Sequence, residues 1–379
     1  MMISASQGHL PKTDLVYAHG FLGAAAMEAY LQLARHRLGL IAQAPALPSD
    51  PPSTFCSAWG GFGAQLILSQ LATGTVSDRL WRRFSRALAH TNDADFYRGL
   101  EGALPVLAVL EPARGERAVR LARLAHQRVT QRLTRSLDRH DRGAAVPVGF
   151  GHGVAGALLA YEIGCALLRK DGTALRHRTI AHLADWAIAT TAGALWPETS
   201  RSSSSPHVHG ICHGAPGICL AALLGYRYSG DAAYAPLVEQ AITTVPVRTP
   251  LESLCCGTLG RVEVLIEAYR TTQDDQFLAL ARQVFAQIDV SQLSGASWQN
   301  GDLAYRFTVL RLSAPREVDL PGLPMAIHPF APAPRGSGAP VRTGRRARAR
   351  TPGRSGRGHP GPPPPSAASA RRRRPGGVR

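Results

Sequence analysis

Apolar residues fall into two alternating patterns along the chain. In the first, a turn of small residues opens a helix-length stretch with almost no charge, such as Ala157-Leu158-Leu159-Ala160-Tyr161 or Ile218-Cys219-Leu220-Ala221-Ala222-Leu223-Leu224. A helix that is apolar nearly all round is one buried on several sides. In the second pattern, Leu121, Ala125, Val129, Leu133 and Leu137 recur at every fourth position, while Arg120, Arg123, Arg128 and Arg135 occupy other faces. Phe277, Ala281, Val284 and Ile288 repeat that stripe, the mark of a helix with one face on a core and the other in water. No segment alternates with period two, so strands are not expected to dominate and the pattern predicts an all-α protein.

The turn itself repeats. It occurs as Gly20-Phe21-Leu22-Gly23, Gly60-Gly61-Phe62-Gly63, Gly99-Leu100-Glu101-Gly102, Gly153-Val154-Ala155-Gly156, Gly214-Ala215-Pro216-Gly217 and Gly257-Thr258-Leu259-Gly260, with a degraded seventh copy at Gly301-Asp302-Leu303-Ala304. The first glycines lie 39 to 61 residues apart, room for a helix pair and its connections in each repeat. Buried helices alternating seven times with half-exposed ones predict a barrel of inner helices wrapped by outer ones. Lacking a Cβ, each turn can take positive φ and let its inner helix start close to its neighbours. All inner N-termini would then share one rim.

Composition changes this picture mainly at the C-terminus. The chain of 379 residues is 45% apolar, enough for a large core, and carries a formal charge of +17. Thirteen of those charges are arginines in residues 333–379, which hold no Asp or Glu, so the remainder carries only +4. Basicity is therefore a property of the tail, and nucleic-acid binding is expected only non-specifically through it. With Pro362-Pro363-Pro364-Pro365, Arg371-Arg372-Arg373-Arg374 and no apolar face, the tail is expected to be disordered. The boundaries read as residues 1–320 for the barrel and 321–379 for the tail. No apolar run approaches the roughly 20 residues of a membrane helix, and no signal core opens the chain, so a cytoplasmic protein is expected.

Six cysteines are too few for a disulfide scaffold in so long a chain, and clustered cysteines in a reducing compartment point to metal binding or catalysis. Cys212-His213 precedes Gly214, Cys255-Cys256 precedes Gly257, and His152 precedes Gly153. If the turns share a rim, these residues converge. Helix N-termini favour thiolates, the form that binds metal, and three thiolates on Zn²⁺ leave the fourth tetrahedral position open. Two other readings stay open: that the three cysteines are small buried residues, or that His209 or His213 is a ligand. Cys56, Cys165 and Cys219, away from the turns, read as core. Asp95, four residues before Gly99, is either a helix cap or a catalytic residue.

At Gly149-Phe150-Gly151-His152-Gly153-Val154-Ala155-Gly156, Cys212-His213-Gly214-Ala215-Pro216-Gly217-Ile218 and Ser253-Leu254-Cys255-Cys256-Gly257-Thr258-Leu259-Gly260, the chain resembles the lanthionine synthetase C-like family. Leu15-Val16-Tyr17-Ala18-His19-Gly20 and Asp95-Phe96-Tyr97-Arg98-Gly99 look like its first and third repeats. The resemblance implies an α/α toroid of seven helical hairpins, the last one degraded. It also implies an enzyme that joins cysteine thiols of a precursor peptide to dehydrated Ser or Thr residues, forming thioether rings. Carried over by motif, Cys212, Cys255 and Cys256 are the zinc ligands of the three-cysteine subgroup, His152 the acid or base, and Asp95 its helper. The implied partners are the dehydrated precursor peptide and a separate dehydratase. The competing functional reading is a non-catalytic peptide-binding toroid, possibly a fragment of a bifunctional synthetase. Ile211 departs from the Trp usual in the family, and the degraded copy beginning at Gly301 bears on whether the ring closes.

Overall fold

In the computed structural model, the described residues are 24–40, 61–93, 95–97, 99–202, 210–247, 249–293 and 301–319. By packing, the chain divides into Met1–Pro334 and Arg335–Arg379. The arginine-rich tail, Cys56, His209 and the first turn at Gly20 lie outside the described residues.

Seven helices form a ring: α1 (Ala24–Arg37), α2 (Gly61–Thr73), α4 (Leu100–Arg114), α6 (Val154–Leu168), α8 (Ala215–Ser229), α10 (Thr258–Thr272) and α12 (Asp302–Ser313). Each packs on the next, and α12 returns to α1. Five more described helices, α3 (Asp78–His90), α5 (Glu116–Asp141), α7 (Thr173–Asp185), α9 (Ala235–Ile242) and α11 (Asp275–Phe285), follow α2, α4, α6, α8 and α10 in the chain and pack on them from outside. The fold is the all-α toroid of helical hairpins.

Inner and outer helices differ as their sequences do. Val154 to Cys165 of α6 and Ala215 to Gly225 of α8 are buried without a break, because these helices contact neighbours on every side. On α5 the stripe of Ala125, Val129, Leu133 and Leu137 is buried, with Leu121 at its edge. On α11 Ala281 and Val284 are buried, but Ile288 lies past the helix, which ends at Phe285. The described strands are one short hairpin, β1 (Ile188–Thr190) and β2 (Gly193–Leu195), between α7 and α8.

The seventh repeat closes the ring despite its altered turn. Phe307 of α12 packs on Tyr30 of α1, and Arg306 pairs with Glu28 at 2.9 Å. Beside this seam lies a network of buried charges on α10 and α12, inner helices that carry more charge than α6 or α8. Arg311, with no exposure, pairs with Glu263 and Glu267 of α10 and donates from Nε to the Val318 carbonyl at 3.0 Å. Glu267 also meets Arg227 of α8 at 3.0 Å and Arg270 at 3.2 Å. Burial pushes the Glu267 carboxyl up, but Arg270, Arg311 and Arg227 outweigh it and hold the group at about 2.

A carboxylate depressed below its unfolded value stabilises the fold above that value and loses the contribution as pH falls through the folded one. Stability from Glu267 is therefore full above about pH 4.5 and lost toward pH 2. Removing one partner of a buried ion pair typically costs about 3–5 kcal/mol, because the other charge stays buried and uncompensated. Arg311→Met is expected to lower stability by that order in urea unfolding at pH 7; an unchanged midpoint would show the network to be energetically idle.

Glycine acts in the turns through close approach rather than positive φ. Of the described turn glycines that begin each copy, only Gly214 has positive φ, +121°; Gly153 and Gly257 are extended at −133° and −129°. Both glycines of a turn are crowded: a Cβ on Gly99 or Gly257 would overlap the backbone of Asp93 or Ser253. A Cβ on Gly156 or Gly217 would overlap the carbonyl oxygen of Phe150 or Ile211, six residues earlier.

Candidate functional site at the rim of the barrel

The turns before α4, α6, α8 and α10 are stitched edge to edge by backbone hydrogen bonds. Phe96 N–H donates to the Gly151 carbonyl at 3.1 Å, Gly151 N–H to Cys212 at 3.1 Å, and Ile211 N–H to Cys255 at 2.7 Å. Each turn thus presents its last residues to the next. Residues far apart in sequence but at one register of the repeat come together for this reason.

Three sulfurs form the first group. The Sγ atoms of Cys212, Cys255 and Cys256 all lie within 4.8 Å of one another, and Cys256 Sγ is 3.3 Å from Cys255 Sγ. Cys212 and Cys255 are joined as a disulfide, with Cα atoms 6.1 Å apart; Cys256 is free, a partly covered thiol at the rim. A disulfide and two thiolate ligands are alternative states of the same pair, separated by two electrons.

The donor set fits zinc. Zinc–sulfur bonds of about 2.3 Å in a tetrahedron place sulfurs about 3.8 Å apart, a spacing open to three sulfurs gathered within 4.8 Å once the Cys212–Cys255 bond is reduced. A disulfide alone gives no reason for a third sulfur against it. Burial holds the Cys256 thiol above the ordinary cysteine value. Cys165 and Cys219 are buried away from the group, as their positions predict.

His152 and Asp95 form the second group. His152 Nδ1 donates to Asp95 Oδ2 at 2.9 Å, with the imidazole partly exposed and the carboxylate buried. That orientation leaves Nε2 for proton transfer. The helix-cap reading of Asp95 is not what forms, since α4 is capped by Gly99 and no side chain serves there. His213 is not part of the close sulfur group; its ring centroid lies 5.4 Å from that of His152. Burial, then His152, lowers it below the ordinary imidazole value, and its Nδ1 is buried without a partner. Among the described residues the close metal-type cluster contains cysteines alone.

Three further residues complete the site. Tyr97 stands between the groups, its hydroxyl 3.1 Å from Cys212 Sγ and its ring edge-on to His152 with centroids 5.4 Å apart. Arg132 reaches in from α5, donating to the His152 carbonyl at 3.3 Å and pairing with the fully buried Glu101 of α4. Burial lifts the Glu101 carboxyl to about 8 against the pull of Arg132. A sequence signal for Glu101 exists: it is an acid inside a glycine turn where the α6, α8 and α10 copies carry Val-Ala, Ala-Pro and Thr-Leu. Arg132 has none, being one arginine among many on an outer helix.

A ring of inner helices whose N-terminal turns gather sulfurs and a histidine–aspartate pair defines a helical toroid with its chemistry at one rim. The sequence profile described as "Lanthionine synthetase C-like protein" matches residues 15–291, and the chain belongs to that family. Among solved structures, nisin cyclase superposes with a TM-score of 0.52 at 11% identity, covering 78% of this chain and 88% of its own. The alpha-1,6-mannanase of Salegentibacter sp. aligns at a TM-score of 0.41 and 10% identity, over 77% of this chain and 98% of its own. No match was found among curated protein sequences. No described helix is long and apolar enough to cross a membrane.

Proposed function

We propose that the protein is a zinc-dependent peptide cyclase that adds cysteine thiols to dehydrated Ser or Thr residues of a precursor peptide, forming lanthionine or methyllanthionine thioethers. The observation that carries this reading is the gathering of Cys212, Cys255 and Cys256 within 4.8 Å, one side chain away from the His152–Asp95 pair. Held by those three sulfurs, zinc supplies positive charge and an open position that favour the thiolate of a peptide cysteine. Thiolate ligands also suit a reducing compartment such as the cytoplasm.

The chain's own residues handle the proton. The thiol gives up its proton to solvent as the thiolate forms; addition then makes a bond from sulfur to the β carbon and breaks the alkene π bond, leaving an enolate whose α carbon needs one proton. His152 delivers it from Nε2 while Asp95 accepts from Nδ1 and so fixes the ring. Arg132, on the His152 carbonyl, holds the turn that carries the imidazole. The alkene is made when Ser or Thr loses water before cyclisation, a step we assign to a separate dehydratase. Binding of nucleic acid by the arginine-rich tail would be incidental to this activity.

Cyclisation conserves mass while consuming a thiol, which gives a direct test. A dehydrated peptide with one cysteine, incubated with reduced, zinc-loaded protein, is expected to keep its mass and lose its capacity for alkylation. Peptide binding with the thiol still alkylatable would overturn the reading in favour of a binding toroid. The decayed seventh repeat, the sequence feature behind that alternative, does not open the ring, because α12 packs on both α10 and α1.

A further inference from the structure

We propose that Tyr97 is a positioning residue of the metal centre, donating its phenolic hydrogen to Cys212 Sγ. The inference rests on the reading of Cys212 as a zinc ligand and extends it to the shell behind the ligands. The hydroxyl lies 3.1 Å from Cys212 Sγ, between residues 115 apart in sequence. A thiolate sulfur can only accept, so with Cys212 ligating a cation the phenol is the donor.

The ring is held in that pose from several sides. Its edge meets His152 at 78°, and it lies 6.4 Å from the Phe150 ring, centroid to centroid. Gly151 lies against it so closely that any Cβ there would strike the ring. The bond from Phe96 N–H to the Gly151 carbonyl ties the two turns together. Tyr97 itself is only 2% exposed, so the donor is packed in place before any ligand arrives.

The charge balance of the centre gives this bond its role. Three thiolates on Zn²⁺ leave a net charge of −1, and a fourth, from the peptide, makes it −2. Water cannot solvate the buried Cys212 sulfur freely, so excess negative charge there is costly. A neutral donor on Cys212 withdraws density from that sulfur without adding a cation that would hold the peptide thiolate too tightly. Groups behind metal ligands typically change affinity by about 10–100-fold when removed.

The test is Tyr97→Phe, which keeps the ring and removes only the hydroxyl. Zinc affinity of reduced protein is read by competition with a chromophoric chelator, and Co²⁺ is used as a second probe whose sulfur-to-metal charge-transfer band reports on Cys212. Expected are zinc binding at least 10-fold weaker than in the parent, a shifted cobalt band and unchanged helicity. Equal affinity with an unshifted band would overturn the role of Tyr97 while leaving the zinc reading intact. A parent protein that binds neither metal would overturn the zinc reading itself. Tyr97→Leu removes ring and hydroxyl together; if it weakens zinc while Tyr97→Phe does not, packing and not the hydrogen bond is what Tyr97 supplies.

Discussion

His152→Ala is expected to slow ring closure by about 10²–10⁴-fold, the usual contribution of a general acid or base, while zinc content and helicity stay at parental values. The separation follows from the geometry. His152 is tied to Asp95 through Nδ1 and stands outside the sulfur cluster, so its loss removes no ligand. Its side chain is partly exposed, so alanine leaves no closed cavity, and Gly151 and Phe150 still flank the Tyr97 ring that His152 meets edge-on. A peptide thiol activated by the metal should remain easily alkylated in the variant, because His152 acts on the enolate after addition has begun. Asp95→Asn should show a smaller loss, since the amide oxygen can still accept from Nδ1, as a weaker acceptor than the carboxylate. Loss of zinc in His152→Ala would make the histidine a ligand or a support. Cyclisation at the parental rate would remove it from the proton transfer.

Much of this site was legible because the repeat gives every turn the same register. Cys212, Cys255, Cys256 and His152 stand in front of a glycine that starts an inner helix, and a ring that brings those starts together must bring the side chains together. Inner helices were equally legible, since Val154–Leu168 and Ala215–Ser229 are too apolar to tolerate any wet face. What the sequence hid were polar groups whose partners arrive from elsewhere in the ring. Arg261, Glu263 and Glu267 give α10 the look of a partly exposed helix, yet all three are buried. Their partners are Arg311, about 45 residues on, and the carbonyls of Thr244 and Val245 at the end of α9. Tyr97 was hidden for the same reason. A tyrosine beside a glycine turn carries no sign that a sulfur 115 residues later will meet its hydroxyl.

Each single replacement of Cys212, Cys255 or Cys256 by alanine is expected to abolish stoichiometric zinc binding, in a protein that otherwise holds one zinc per chain. Only one of the three variants also separates a metal centre from a disulfide. Cys212 and Cys255 are disulfide-bonded, so either function predicts a penalty when one of them is lost. Cys256 is the discriminating residue, since it takes no part in that bond. As the third ligand it is required for zinc; beside a purely structural disulfide its loss would change nothing measurable. Redox state supplies an independent reading. The disulfide occupies two of the three sulfurs, and only thiolates ligate, so oxidised metal-free protein should take up no zinc until two electrons from a phosphine reductant open the bond. Uptake should then reach one equivalent per chain in the parent and none in Cys256→Ala. A Cys256→Ala protein that still binds a full equivalent after reduction would exclude the three-cysteine centre.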